Sequence, residues 1–340
     1  MANYNLDENE MEKLNHNTLP TIDLCAFLNS SGKEREKIAS YVDEICRSIG
    51  FLIIKNHGVP ETVRKAAWKT AEDFFAASPD EKRSAKPDDE GSPRGYLPIE
   101  GESLARTIGD ATPPDRKETF SCGPLSAPID HTRTDDFHFF YGSNIWPQTP
   151  SDFKENWTAY YKAMERLGDQ LMQMLATALN VDEDYFVDYH THHISALRSQ
   201  NYPSLETKVL PGQLRAGTHS DYGSVTLLYP DPKVSGLEVK SPTGKWIKAP
   251  IVEDAYIINI GDLLAHWTND RWVSTLHRVV EPEGNKGRTS PKRQSIAYFM
   301  NPNYDAIIKA IPTCISVDNP AKYEPVLAGN YLMNKFNKSI

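Results

Sequence analysis

A chain of 340 residues with 39% apolar and 24% charged content has room for one large domain or two modest ones and the composition of an ordinary globular protein. Its 37 Lys and Arg against 46 Asp and Glu give a net charge of −9, which argues against a nucleic-acid partner held through phosphates. No apolar run reaches the roughly eighteen residues of a membrane helix, and the 4 cysteines, with no Cys-x-x-Cys spacing, read as reduced thiols of a cytoplasmic protein.

In chain order, residues 1–18 are polar, unlike a secretory or organellar leader, and are expected to be flexible. Residues 19–27 read as a short strand entering the fold. Ile38, Tyr41, Val42, Ile45 and Ile49 recur at the spacing of one buried helical face, which predicts a helix over 34–49 with Gly50 as its C-terminal cap. Residues 51–54 predict a buried strand, with Asn56, His57 and Gly58 as a structural turn. Pro60 then opens a second amphipathic helix through Val63, Ala67, Thr70, Phe74 and Phe75. Residues 79–150 are rich in Pro, Gly, Asp and Ser and predict an extended connection lying across a cavity mouth.

Residues 152–179 carry Trp157, Tyr160, Met164, Leu167 and Leu171 in one stripe, the pattern of a long helix backing a sheet. From about residue 196 the texture becomes short runs rich in Val, Ile, Leu and Tyr, broken by turns at 242–244 and 259–262 and by a polar loop at 281–291. That pattern predicts a two-sheet jelly roll, hence an α+β chain dominated by β. His266 and Trp267 read as part of a strand at the cavity rim, and the segment from Pro320 as a helix. The organisation expected is a tail (1–18), an N-terminal region with cavity-covering loops (19–150), and a core of backing helix, jelly roll and C-terminal helix (151–340).

The chemistry sits late in the chain. His219 and Asp221 are two apart, so on a strand both would leave one face, and the β-branched run at 273–280 can bring His277 to them. Two histidines and a carboxylate on one side of a metal leave positions open for a co-substrate and O₂, as Fe(II) oxygenases require. Arg293 and Ser295 follow sixteen residues after His277 and share a strand face, so a guanidinium and a hydroxyl can hold one carboxylate near the metal. Phe299 lies on that same face and lines the cavity or packs in the core. Arg215 serves an anionic substrate or forms a structural ion pair. His190, His192 and His193 lack a carboxylate at ligand spacing and read as packing or solvated residues. No Gly-rich phosphate loop is present.

The series His219, Asp221, His277, Arg293 and Ser295 resembles the Fe(II)/2-oxoglutarate-dependent dioxygenases, in the branch containing isopenicillin N synthase, over residues 19–332. The resemblance implies Fe(II) on the two histidines and Asp221, and 2-oxoglutarate held by Arg293, Ser295 and Tyr202. It also implies oxidation of a small-molecule C–H bond with release of succinate and CO₂, by hydroxylation, desaturation or ring closure, as in specialised metabolism. Tyr202 stands in Gln200-Asn201-Tyr202-Pro203, where the family's segment begins with Asn, so the roles around Gln200 stay open. Arg94 and Tyr96 resemble a family signature and face substrate or pack against the barrel; Lys117 to Phe120 resemble another. Two alternatives fit the residues: an oxidase that needs no 2-oxoglutarate, and a non-catalytic small-molecule binder on the same barrel.

Overall fold

The computed structural model describes residues 18–88, 91–109, 113–128, 135–204, 212–282 and 291–337. The expected tail and most of the 281–291 loop lie outside the described residues.

The N-terminal strand is shorter than the sequence suggests: β1 is Thr21–Asp23, and Leu24–Asn29 follow as helix α1. The Asp23 carboxylate accepts the Ala26 N–H at 2.9 Å, so an N-cap starts a helix where the apolar run had suggested strand. Helix α2 (Gly32–Ser48) buries Ile38, Val42 and Ile45 as the spacing requires, and Gly50 takes φ +63° beyond its end. Strand β2 (Phe51–Lys55) turns through Asn56 (φ +50°) and Gly58 (φ +72°) into α3 (Glu61–Ala76). His57 is structural: its Nδ1 accepts the Val59 N–H at 3.1 Å and its ring meets Tyr256 edge-on.

Residues 79–150 hold more than a connection. After α4 (Pro79–Arg83), β3 (Gly95–Leu97) and β4 (Glu118–Cys122) pair antiparallel and add two strands to the larger sheet; α5 (Asp135–Tyr141) follows. Short strands among Pro and Gly carry little period-2 signal, which is why the sequence reads as loop.

Helix α6 (Phe153–Ala178) is the predicted backing helix; it packs against α2, α3 and the strand Arg293–Met300. Its Trp157, Tyr160, Tyr161, Met164, Leu167 and Leu171 are at most 1% exposed. Each such side chain contributes on the order of 1.5–3 kcal/mol of burial, so this stripe anchors the sheet behind the site.

The jelly-roll strands are β5 (Ala196–Tyr202), β6 (Ala216–His219), β7 (Val225–Tyr229), β8 (Leu237–Lys240), β9 (Trp246–Lys248), β10 (Tyr256–Ile260), β11 (His277–Val279) and β12 (Arg293–Met300). They form two sheets that are not closed into a barrel. One runs β1-β2-β10-β7-β12-β5-β4-β3, parallel only at β1–β2, and the other runs β6-β11-β8-β9. Residues 259–262 are not a free turn but the passage from β10 into helix α7 (Asp262–Trp267), so His266 and Trp267 are helical, and Trp267 is fully buried. The chain ends in a small ribbon, β13 (Ile307–Ile308) with β14 (Val326–Leu327), and helix α8 (Ala328–Phe336). No helix of the described residues is long and apolar enough to cross a membrane.

Candidate metal and co-substrate site

Strand β6 ends at His219, so Asp221 stands in the turn after it rather than on the strand, and β11 spans only His277–Val279. The pairing still brings the three together, because His219 and His277 are direct partners across β6–β11. Asp221 Oδ1 lies 3.7 Å from His219 Nε2 and 3.6 Å from His277 Nε2. Among the described residues this is the cluster of His, Cys, Asp and Glu that could hold a metal, its donor atoms within 4.8 Å of one another. The histidines at 190, 192 and 193 are elsewhere; His193 pairs with Glu165 at 3.0 Å on α6.

The surroundings of the three side chains aim their lone pairs inward. His219 Nδ1 sits 2.7 Å from the Gly217 carbonyl and His277 Nδ1 sits 3.1 Å from that of Thr275. A carbonyl only accepts, so each Nδ1 carries the hydrogen and each Nε2 presents its lone pair to the centre. Asp221 Oδ2 accepts from Thr226 at 2.6 Å and from Asn259 at 2.8 Å, which leaves Oδ1 facing the two imidazoles. Burial, with His277 and Lys117 adding to it, pushes the His219 pKa down to about 3, so the ring is neutral. Burial opposes the Asp221 charge, yet the two imidazoles and the two hydrogen bonds hold its pKa below the usual range. Two neutral nitrogen donors and one carboxylate suit a divalent first-row metal.

Strand β12 supplies the second half of the site. Arg293 pairs across the ladder with Tyr202 and Ser295 with Gln200, so all four share a face. The Arg293 guanidinium carbon lies 4.9 Å from the Tyr202 ring centre, and Arg293 Nη1 donates to Ser295 Oγ at 3.4 Å. Arg293 is 2% exposed, pairs with no carboxylate among the described residues, and has a buried Nε without an acceptor. A buried guanidinium in that condition is costly unless an anion joins it. A carboxylate of a bound ligand would meet that need. Ser295 donates to Gln200 Oε1 at 2.8 Å, which gives the residue standing in place of the family's Asn a definite contact.

The face of β5 and β12 that carries Arg293 continues through Phe299 and, on β5, through Ala196, Arg198 and Gln200. These last three and Phe299 stay partly exposed while their strand neighbours are buried, the mark of a wall facing open space. Arg198 is a residue the sequence reading missed. Its Nε donates to Ser121 at 2.9 Å and its Nη1 to Glu102 at 3.2 Å. The available signal was its even spacing from Gln200 and Tyr202.

Three residues that the sequence allows to face substrate take their structural alternative. Tyr96 pairs with Phe120 on the opposite, helix-facing side of the sheet, where its hydroxyl donates to Glu118 at 2.6 Å. Arg94 donates to the backbone carbonyls of Phe140 and Gly142 at the end of α5, so it anchors that helix. Arg215 is 1% exposed and forms the structural ion pair, its Nε 3.0 Å from Glu281 and its Nη2 2.6 Å from the Pro291 carbonyl.

Comparison with known proteins agrees with this geometry. The family model described as the 2OG-Fe(II) oxygenase superfamily matches residues 191–302, and that of the non-haem dioxygenase N-terminal region in morphine synthesis matches 19–149. A 2-oxoglutarate-Fe(II) type oxidoreductase of Emericella nidulans is 30% identical over 94% of this chain and 90% of its own length. The chain belongs to the 2OG-Fe(II) oxygenase superfamily. The oxygenase is also 32% identical to the validamycin A dioxygenase of Streptomyces hygroscopicus subsp. limoneus, over 94% of this chain and 86% of that one. A full-length Neurospora crassa protein, solved in complex with alpha-KG (2-oxoglutarate), superposes with TM-score 0.83 at 31% identity, covering 96% of this chain and 98% of that one. The protein is an Fe(II)/2-oxoglutarate-dependent dioxygenase, an oxidoreductase with Fe(II) as cofactor and 2-oxoglutarate and O₂ as co-substrates. The co-substrate-free oxidase and the non-catalytic binder are not favoured.

Proposed function

We propose that His219, Asp221 and His277 ligate the Fe(II), that Arg293, Ser295 and Tyr202 hold the far carboxylate of 2-oxoglutarate, and that the enzyme oxidises a C–H bond of a small molecule. The observation that carries this reading is the split use of Asp221: Oδ2 is fixed by Thr226 and Asn259 while Oδ1 faces both Nε2 atoms. Fe(II), once bound with 2-oxoglutarate and O₂, supplies the oxidant that takes hydrogen from the substrate, with succinate and CO₂ released. The chain's own work is placement. Arg293 supplies charge and Ser295 a hydroxyl at one end of the co-substrate, and the Tyr202 ring closes the pocket beside them.

The substrate side is the wall formed by Phe299, Ala196, Arg198 and Gln200, which offers one aromatic surface and donors for carbonyl or carboxylate oxygen. Small-molecule chemistry is supported by relatives named for small molecules or solved with them, among them the validamycin A dioxygenase and the Neurospora crassa protein in its complex with thymine. Specialised metabolism is the setting we favour. Net charge −9 supports an enzyme without a nucleic-acid partner. Three buried, unbonded cysteines (46, 122 and 314) support a cytoplasmic enzyme. We also read residues 19–150 as an N-terminal region with cavity-covering loops, and 151–340 as the backing helix, jelly-roll core and C-terminal helix. The test is succinate release from 2-oxoglutarate across a small-molecule panel: Arg293→Ala should raise the KM for 2-oxoglutarate at least tenfold, and an unchanged KM would sink the co-substrate assignment.

A further inference from the structure

We infer that Asp115 is a positioning residue for the metal ligand His219, acting through the backbone of Gly217; the inference rests on the ligand assignment proposed above. Between His219 and Ala216, strand β6 has three steps where its partner β11 has two, from His277 to Val279. That is a bulge, and a bulge re-aims the side chain beside it while leaving a backbone group off the ladder. Strand β6 is also the edge of its four-stranded sheet. The Gly217 N–H at this irregular edge is met by a side chain: it donates to Asp115 Oδ1 at 2.8 Å. The Gly217 carbonyl, on the same residue, accepts from His219 Nδ1 at 2.7 Å and so sets the direction of Nε2.

Asp115 is itself held in place. It is 1% exposed, and its Oδ2 accepts from the Leu104 N–H at 3.2 Å and from Lys117 Nζ at 3.1 Å. The approach at Gly217 is close enough that a Cβ there would lie 2.9 Å from the Ala105 nitrogen and 3.3 Å from Asp115 Oδ1. A carboxylate therefore fixes the bulge, the bulge fixes Gly217, and Gly217 fixes the His219 ring. Neighbouring contacts of this kind commonly tune metal affinity by about 10–100-fold.

The experiment is anaerobic Fe(II) affinity of the full chain, read by competition with a chromophoric chelator, beside thermal unfolding of each variant. Asp115→Ala should weaken Fe(II) about tenfold or more. Asp115→Asn keeps an oxygen for the Gly217 N–H but turns its NH2 toward the Leu104 N–H and Lys117, so it should recover only part of that affinity. Gly217→Ala, which removes no charge, should weaken Fe(II) in the same way and keeps the question answerable if Asp115→Ala does not fold. Glu118→Gln, on the opposite face of β4 from the metal side, should lower the melting temperature and leave Fe(II) affinity unchanged. Wild-type affinity in Asp115→Ala or in Gly217→Ala would overturn the inference, as would an equal loss in Glu118→Gln. Asp221→Ala separates the two levels: if it binds Fe(II) like the wild type, the ligand assignment has failed rather than the positioning role.

Discussion

At the scale of single residues, the proposed ligands are legible in the sequence and their supports are not. His219, Asp221 and His277 could be picked out because two histidines and a carboxylate with a later Arg-x-Ser form a specific series. Thr226 and Asn259, which hold Asp221 Oδ2, carry no such mark: a Thr inside a β-rich run looks like any strand residue, and Asn259 before Gly261 and Asp262 reads as the start of a turn. Spacing also misled: His219 and Asp221 do not share a strand face, because β6 stops at His219 and the turn brings Asp221 round. Asn259→Ala should therefore lower Fe(II) affinity by about 10–100-fold with the three ligands intact, measured by anaerobic titration; an affinity equal to wild type would show that Thr226 alone suffices. For Arg94, Tyr96 and Arg215 the sequence leaves a substrate-facing and a structural reading open, for one shared reason. A buried Arg or Tyr satisfied by carbonyls or carboxylates has the same one-letter identity as one that meets a substrate, and only the partners distinguish them.

Within one element, β12 divides its work by face. Arg293, Ser295, Ala297 and Phe299 look toward the site, while Gln294, Ile296, Tyr298 and Met300 look toward the helices. Tyr298 is 1% exposed and its ring meets Tyr161 of α6 edge-on at 5.3 Å. Truncating such a side chain should cost about 3–5 kcal/mol. Tyr298→Ala should thus lower the denaturation midpoint sharply, whereas Phe299→Ala should leave it within about 1 kcal/mol and shift the KM for substrate. Equal destabilisation by the two would contradict the division of faces. The strand is legible from its run of apolar and aromatic residues, Ile296 to Met300. By contrast β3 and β4 are not legible, since three- and five-residue strands between Pro- and Gly-rich stretches show no period long enough to count.

For the whole molecule, the fold was legible where helices are long and amphipathic, as in α2, α3 and α6, and where strand texture is dense. The order of strands was not, because the eight-stranded sheet joins segments from residue 21 to residue 300, and no local pattern records which strand lies beside which. Imidazoles that are wholly or partly buried also set a global property. Burial pushes His190 down to about 4 from an ordinary 6.5, and burial lowers His57 and His266 as well. These imidazoles bind more protons in the unfolded chain than in the folded one between pH 6.5 and about 4, so their contribution to stability is fully present above pH 6.5 and falls as pH drops toward 4. Urea denaturation of the metal-free protein should show that decline, and His190→Gln should make it shallower; a pH-independent midpoint between 6.5 and 4 would contradict it. The central claim is tested most directly by anaerobic titration of Fe(II) into the protein with and without 2-oxoglutarate, following the visible metal-to-ligand charge-transfer band. The expected result is a band that requires both Fe(II) and 2-oxoglutarate, disappears in Asp221→Ala and needs far more 2-oxoglutarate in Arg293→Ala. Iron binding without any band, or a band of wild-type strength in Asp221→Ala, would contradict the assignment of this site.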